Sequence, residues 1–248
     1  MKSKSDLVKK KLIDIFKVIG SSNLSEFLHE LEDDKLFLDS MNSMIKINDI
    51  FIKRDFKDIY EFSVYRNFLY CLIRDLKPKV IVETGVLHGL TSAWLLKALE
   101  DNNHGELISV DLPRRDWDKY FKGIDFGDGG EAEFEIEEET PGWVVPENLK
   151  SRWKLYLGPT SEHLPGICQR LDNIDLFIHD SDHSYDTMKL ECELIQKYHS
   201  DAVIVIDDYY ANNYAFDFQK QTGRNLFEID DINDDLQSCQ GCALLNPK

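Results

Sequence analysis

Two short segments concentrate the groups that can do chemistry. Asp180, Asp182 and His183 follow the apolar run 174–179, and Asp207 with Asp208 closes the run that starts at Val203. Carboxylates gathered at neighbouring strand ends repel, so a hard cation, a basic partner or protonation must offset them. Oxygen donors favour Mg²⁺ or a similar ion over zinc. A cation there would orient a hydroxyl and lower its pKa, and Asp182 or His183 would accept the proton. Each residue also has a plainer use. Asp182 or Ser184 can cap a helix starting at Ser184, one of Asp207 and Asp208 can be a turn acid, and His179 can be structural.

A second constellation is Glu83-Thr84-Gly85-Val86-Leu87-His88-Gly89, set between an apolar run and a helical pattern. Gly85 and Gly89 allow a tight turn and a close approach of backbone to ligand. Asp111 ends the next apolar run, about twenty residues on, where an acid receives ribose hydroxyls. The spacing is not G-x-G-x-x-G, which disfavours a dinucleotide and an oxidoreductase. Glu83 suits a ligand with a positive end better than a pyrophosphate. S-adenosylmethionine has that form, with ammonium and sulfonium at one end and ribose at the other.

These groups must be carried by a sheet. Strands are expected at Val80–Thr84, Leu107–Asp111, Lys154–Leu157, Ile174–His179 and Val203–Asp207, with Leu226–Ile229 and Ala243–Leu245 as candidate antiparallel strands. Helices start near Gly89, Thr160 and Ser184, with another beyond Ala215, the alternation of a parallel sheet with right-handed crossovers. Three helices precede them: Asp6–Phe16, Ser25–Leu36 and Ser63–Leu76, the last stopped by Pro78. The expected architecture is α/β, a doubly wound, mostly parallel seven-stranded sheet. Residues 1–62 form a helical appendage to a domain at 63–248, and 113–146 is an insertion of the kind that serves as a lid or binding loop.

The block Val80–Ala98 resembles motif I of class I S-adenosylmethionine-dependent methyltransferases, and Leu107–Pro113 resembles their second strand. Gly142-Trp-Val-Val-Pro-Glu147, Ile174-Asp-Leu-Phe-Ile-His-Asp-Ser-Asp-His-Ser-Tyr185 and Val205-Ile-Asp-Asp208 are similar to small-molecule O-methyltransferases of the macrocin type and, more distantly, to cephalosporin hydroxylase-like proteins. The likeness covers residues 63–220. It implies a Rossmann-like fold, Glu83 holding the methionine end, Gly85 and Gly89 lining the cofactor, and Asp111 holding the ribose. It also implies a divalent metal such as Mg²⁺ on Asp180, Asp207 and Asp208, and a small-molecule acceptor, with sugar-containing compounds among the candidates. Where the family often has an acid, this chain has Pro159, and His199-Ser200-Asp201 replaces the usual Pro-Gly-Gly turn.

Bulk properties narrow the partners. A formal charge of −17 argues against free nucleic acid as substrate. Residues 125–139 hold eight acids and no Lys or Arg, the pattern of a solvated loop. The 5 cysteines are irregularly spaced, and Cys239-x-x-Cys242 has no second pair, so neither a disulfide framework nor a zinc site is expected. No apolar run is long enough for a signal peptide or a membrane span, which points to the cytoplasm. A homo-oligomer and a catalytically silent cofactor-binding scaffold stay open as alternatives.

Overall fold

Strand formation follows the β-branched runs, and the strands assemble into one sheet. The computed structural model describes residues 4–19, 23–47, 57–61, 63–113, 116, 141–230 and 240–246. Three helices lead: α1 (Lys4–Ile19), α2 (Leu24–Asp33) and α3 (Lys35–Ile47). Then come α4 (Val64–Leu76), β1 (Val80–Thr84), α5 (Leu90–Asp101), β2 (Glu106–Asp111) and β3 (Trp153–Leu157). The second half is α6 (Thr160–Arg170), β4 (Leu176–His179), α7 (Tyr185–Tyr198), β5 (Val203–Ile206), α8 (Tyr214–Thr222), β6 (Asn225–Asp230) and β7 (Gln240–Leu245).

The sheet has seven strands in the order β3-β2-β1-β4-β5-β7-β6. Strands β1 to β5 are parallel, and β7 runs antiparallel to both β5 and β6. This is the expected doubly wound, Rossmann-like sheet with N-terminal helices. The chain winds outward from β1 in one direction and from β4 in the other, so the topological switch point lies between β1 and β4.

Alternation along the strands divides the interior into two cores. Ile81, Ile178 and Val205 face α1–α5, with Leu12, Phe16, Leu28, Leu31, Phe68 and Trp94. Val82, Phe177, Ile204 and Ile206 face α6–α8, with Leu164, Met188, Ile195 and Phe218. The apolar faces of the N-terminal helices thus pack into the same core as α4 and α5.

Of three local differences from expectation, two have clear causes. The second helix stops at Asp33, because Asp34 caps a separate helix: its Oδ1 accepts from the Phe37 amide at 3.0 Å and its Oδ2 pairs with Lys97 at 2.7 Å. Strand β4 begins at Leu176 rather than Ile174, because the Asp175 carboxylate instead accepts from the amides of Lys79 and Val80 at the foot of β1. Strand β5 ends at Ile206, one residue short of Asp207. The helix start at Ser63 is as read, its hydroxyl accepting from the Arg66 amide at 2.8 Å. The acidic segment 125–139 and Cys239 lie outside the described residues. Cys71, Cys168 and Cys192 are buried free thiols, and Cys242 is buried. Among the described residues no helix is long and apolar enough to cross a membrane.

Arg224 ties the far half of the sheet to its crossover. Only 2% exposed, it donates to the carbonyls of Ser200, Ala202 and Leu244 and to Gln196 Oε1. It therefore organises the turn at 199–201 that replaces the glycine turn. Replacing it with Met should cost about 2–4 kcal/mol, because several buried carbonyls lose their donor; urea denaturation at neutral pH measures the loss.

Candidate active site

At the carboxyl end of β1 the chain turns through Gly85 (φ +82°) and Gly89 (φ +91°) into α5. Both glycines are imposed by close neighbours. A Cβ on Gly85 would sit 1.8 Å from the carbonyl oxygen of Asp180, and one on Gly89 would sit 2.6 Å from Gly142 Cα. The Asp180 amide donates to the Thr84 carbonyl at 2.8 Å, so the ends of β1 and β4 meet at the switch point. Residues 142–144 close the other side: the amides of Gly142 and Val144 donate to the carbonyls of Leu87 and His88, and the Trp143 ring lies edge-on to His88.

The two acids of the turn are both buried, and they differ in what they hold. Asp111 Oδ1 accepts from the amides of Val86 at 2.6 Å and Leu87 at 3.1 Å, which fixes the turn. Burial still pushes its pKa above the usual carboxylate value. Glu83 points beneath the turn, where its Oε2 accepts from Ser109 at 2.7 Å and Ser92 at 2.8 Å. Trp153 Nε1 in turn donates to the Ser109 hydroxyl at 2.9 Å. The other Glu83 oxygen, Oε1, is buried with no partner. Burial pushes the Glu83 pKa up to about 7, against the two serine bonds and aided by Asp111.

Across Gly85 lies the acid cluster. Single ligand-capable atoms of Asp180, His183 and Asp207 lie within 4.8 Å of one another. Burial lifts both carboxyls: Asp180 goes well above its usual range with the help of Asp207, and Asp207 goes to about 6 with the help of Asp208, against the lowering effect of Asp180. Asp207 Oδ1 and His183 Nε2 are buried without partners. Burial and the neighbouring His179 push the His183 pKa down, against the pull of Asp208 and Asp182. Such a set fits a divalent cation, because it offers unpartnered acceptors that repel one another until a positive charge lies between them.

Not every expected residue joins this group. Asp208, in the left-handed region at φ +46°, stands 3.5 Å from the opposite ring nitrogen of His183, outside the trio. Ser184 caps α7, its hydroxyl accepting from the Thr187 amide at 3.3 Å, and Asp182 braces that cap: its Oδ2 accepts from the hydroxyls of Ser184 at 2.6 Å and Thr187 at 2.7 Å, and its Oδ1 accepts from the Ser184 amide. Burial raises its pKa, yet these donors outweigh burial and hold it below the usual range, which makes it a poor base.

Glu191 escaped the sequence reading. Fully buried on α7, it accepts from Thr84 Oγ1 at 2.6 Å, Ser181 Oγ at 2.8 Å and His179 Nδ1 at 2.7 Å. Burial alone would raise its pKa, but His179 and the hydroxyl donors bring it below the ordinary value. It thereby joins the ends of β1 and β4 to the loop that carries Asp180 and His183. The available signal was an acid on the inward face of an amphipathic helix, one position before Cys192 and three after Met188.

Residues 82–209 match the profile of a protein family described as a methyltransferase domain. No curated protein matches the chain. Among solved structures, the O-methyltransferase of Bacillus cereus, in complex with SAH, is similar over 84% of this chain and 91% of its own, at 13% identity and a TM-score of 0.56. The O-methyltransferase TomG of Streptomyces achromogenes, involved in tomaymycin synthesis and in complex with SAM, is similar over 90% of this chain and 95% of its own, at 15% identity and a TM-score of 0.56. At such identities the likeness is one of fold.

Glu83 yields a test through its ionisation. Below pH 4.5 the carboxyl is protonated in both folded and unfolded chains. Between there and pH 7 only the unfolded chain ionises, so stability falls as pH rises, by on the order of 3 kcal/mol in full. Glu83→Gln keeps an acceptor for both serines and removes this penalty. The variant should melt higher than wild type at pH 8 and equally at pH 4.5, as followed by calorimetry.

Proposed function

Because the chain belongs to the methyltransferase-domain family, we propose that it transfers a methyl group from S-adenosylmethionine to a hydroxyl oxygen of a small molecule, with a divalent cation held at the acid cluster. The observation that carries this reading is the pairing, across Gly85, of a buried-acid glycine turn with the Asp180, His183 and Asp207 cluster. The turn offers an unpartnered buried carboxylate oxygen at Glu83 and a carboxylate at Asp111, which suits a ligand that is cationic at one end and carries hydroxyls at the other.

S-adenosylmethionine supplies an electrophilic methyl on a sulfonium sulfur. Glu83 would take the ammonium end and Asp111, through the oxygen not bonded to the turn, the ribose. A divalent cation would supply a Lewis acid that lowers the pKa of the acceptor hydroxyl. Asp180 and Asp207 would hold it. His183 then accepts the hydroxyl proton at Nε2 as the oxygen takes the methyl. Its lowered pKa keeps the ring neutral and ready to do so, and Asp208 beside Nδ1 favours the tautomer with Nε2 free. Alignment supplies much of the remaining rate, since a displacement depends on the approach of the nucleophile.

Two measurements test this. Titration calorimetry should show S-adenosylmethionine binding to the wild-type protein, weakened in Asp111→Asn; no heat of binding would sink the proposal. With an acceptor found by screening hydroxyl compounds, chelation or Asp207→Ala should abolish turnover. His183→Ala should lower kcat by about 10²–10⁴ with cofactor affinity unchanged. Full activity after exhaustive chelation would remove the cation from the mechanism.

A further inference from the structure

Glu83, Ser109 and Trp153 lie on three neighbouring strands and on one face of the sheet. Glu83 is paired in register with Ser109, and Trp153 with Leu107, two residues before Ser109. Strand alternation therefore turns all three side chains toward α4 and α5, where Ile81 and Leu107 are core and Trp153 packs, partly buried, against them. Trp153 Nε1 donates to Ser109 Oγ at 2.9 Å, and Ser109 Oγ donates to Glu83 Oε2 at 2.7 Å.

The groups themselves set the direction of this hydrogen-bond chain. An indole N–H can only donate and a hydroxyl has one hydrogen, so the bond from Trp153 takes an acceptor position on Ser109 and sends the hydroxyl hydrogen to Glu83. A hydroxyl that receives a hydrogen bond also donates a stronger one. With Ser92 donating to the same oxygen at 2.8 Å, Oε2 is held twice, and Oε1, buried and unpartnered, is the oxygen left for a ligand. We infer that Trp153 is a positioning residue for the cofactor: acting through Ser109, it fixes the Glu83 carboxylate so that Oε1 is presented to the ammonium end of S-adenosylmethionine. This rests on the reading of Glu83 as the acceptor of that ammonium. The Trp153 ring has a second contact, beneath Gly142, where a Cβ would collide with its Cη2. A residue that only propped up that segment would serve the whole cofactor, whereas one acting through Glu83 serves its amino-acid end alone.

That difference is measured on the full-length protein by titration calorimetry at pH 8. S-adenosylhomocysteine is compared with 5′-methylthioadenosine, which keeps the adenosine and the thioether but lacks the ammonium and the carboxylate. The wild type should prefer S-adenosylhomocysteine. Trp153→Phe keeps a ring against Gly142 and removes the donor, so it should shrink that preference about fivefold or more, with methylthioadenosine affinity held within about twofold. Ser109→Ala should shrink it as much and the double variant no further, since both break the same hydrogen-bond chain. Equal weakening of both ligands in Trp153→Phe, or an unchanged preference, overturns the inference alone. Should that variant not fold, benzothienylalanine at position 153, isosteric with tryptophan but without the N–H, decides by the same preference. Failure of the wild type to bind either ligand overturns the methyltransferase reading and the inference with it, and a preference that Glu83→Gln leaves intact does the same for the Glu83 assignment.

Discussion

Where β1 leaves the sheet, its Gly85 passes so close to the backbone of Asp180 that no side chain fits between them. Much of the site depends on that approach. It brings the glycine turn on one strand and the acid cluster on the next to the two sides of a single residue. It also occurs at the switch point, where α5 and α7 diverge to opposite faces and leave a crevice. The amide of Asp180 on the Thr84 carbonyl and the three-way grip of Glu191 on Thr84, His179 and Ser181 hold the two strand ends in register.

Around this contact the protein buries an unusual number of carboxylates and treats each differently. Glu191 has three donors and remains ionised, so it serves as a structural anion. Asp111 has two amides on one oxygen, and Glu83 has two hydroxyls on one oxygen and none on the other. Asp180 and Asp207 are lifted chiefly by burial, Asp180 also by Asp207 and Asp207 also by Asp208. Leaving a buried polar atom unsatisfied costs about 1–3 kcal/mol. Fold stability alone gives no reason to keep Glu83 Oε1 and Asp207 Oδ1 open, whereas ligands that meet them do.

Most of the scaffold was legible because it is encoded locally. Short β-branched runs separated by amphipathic helices specify parallel strands with crossovers, and all seven strands form where the pattern places them, six within a residue or two and β7 starting three residues early. Two of the misplaced boundaries share one cause. Asp34 and Asp175 each use a carboxylate to receive backbone amides, and such a bond depends on where the amide lies, in the case of Asp175 on a strand nearly a hundred residues away. Hydropathy does not register it.

The site divides in the same way. The identity of the turn, Glu83 to Gly89 followed by Asp111, and the concentration of acids after β4 and β5 were fixed by the order of residues, since strand ends and glycine turns are consequences of local pattern. The partition of those acids was not. Asp182 turned to brace the Ser184 cap of α7, Asp208 stands on the far side of His183, and His183 came into the trio with Asp180 and Asp207. Glu191, from the helix that follows β4, entered the site only through packing. Its side chain reaches it across space, and the donors it meets there include Thr84, which is distant in sequence.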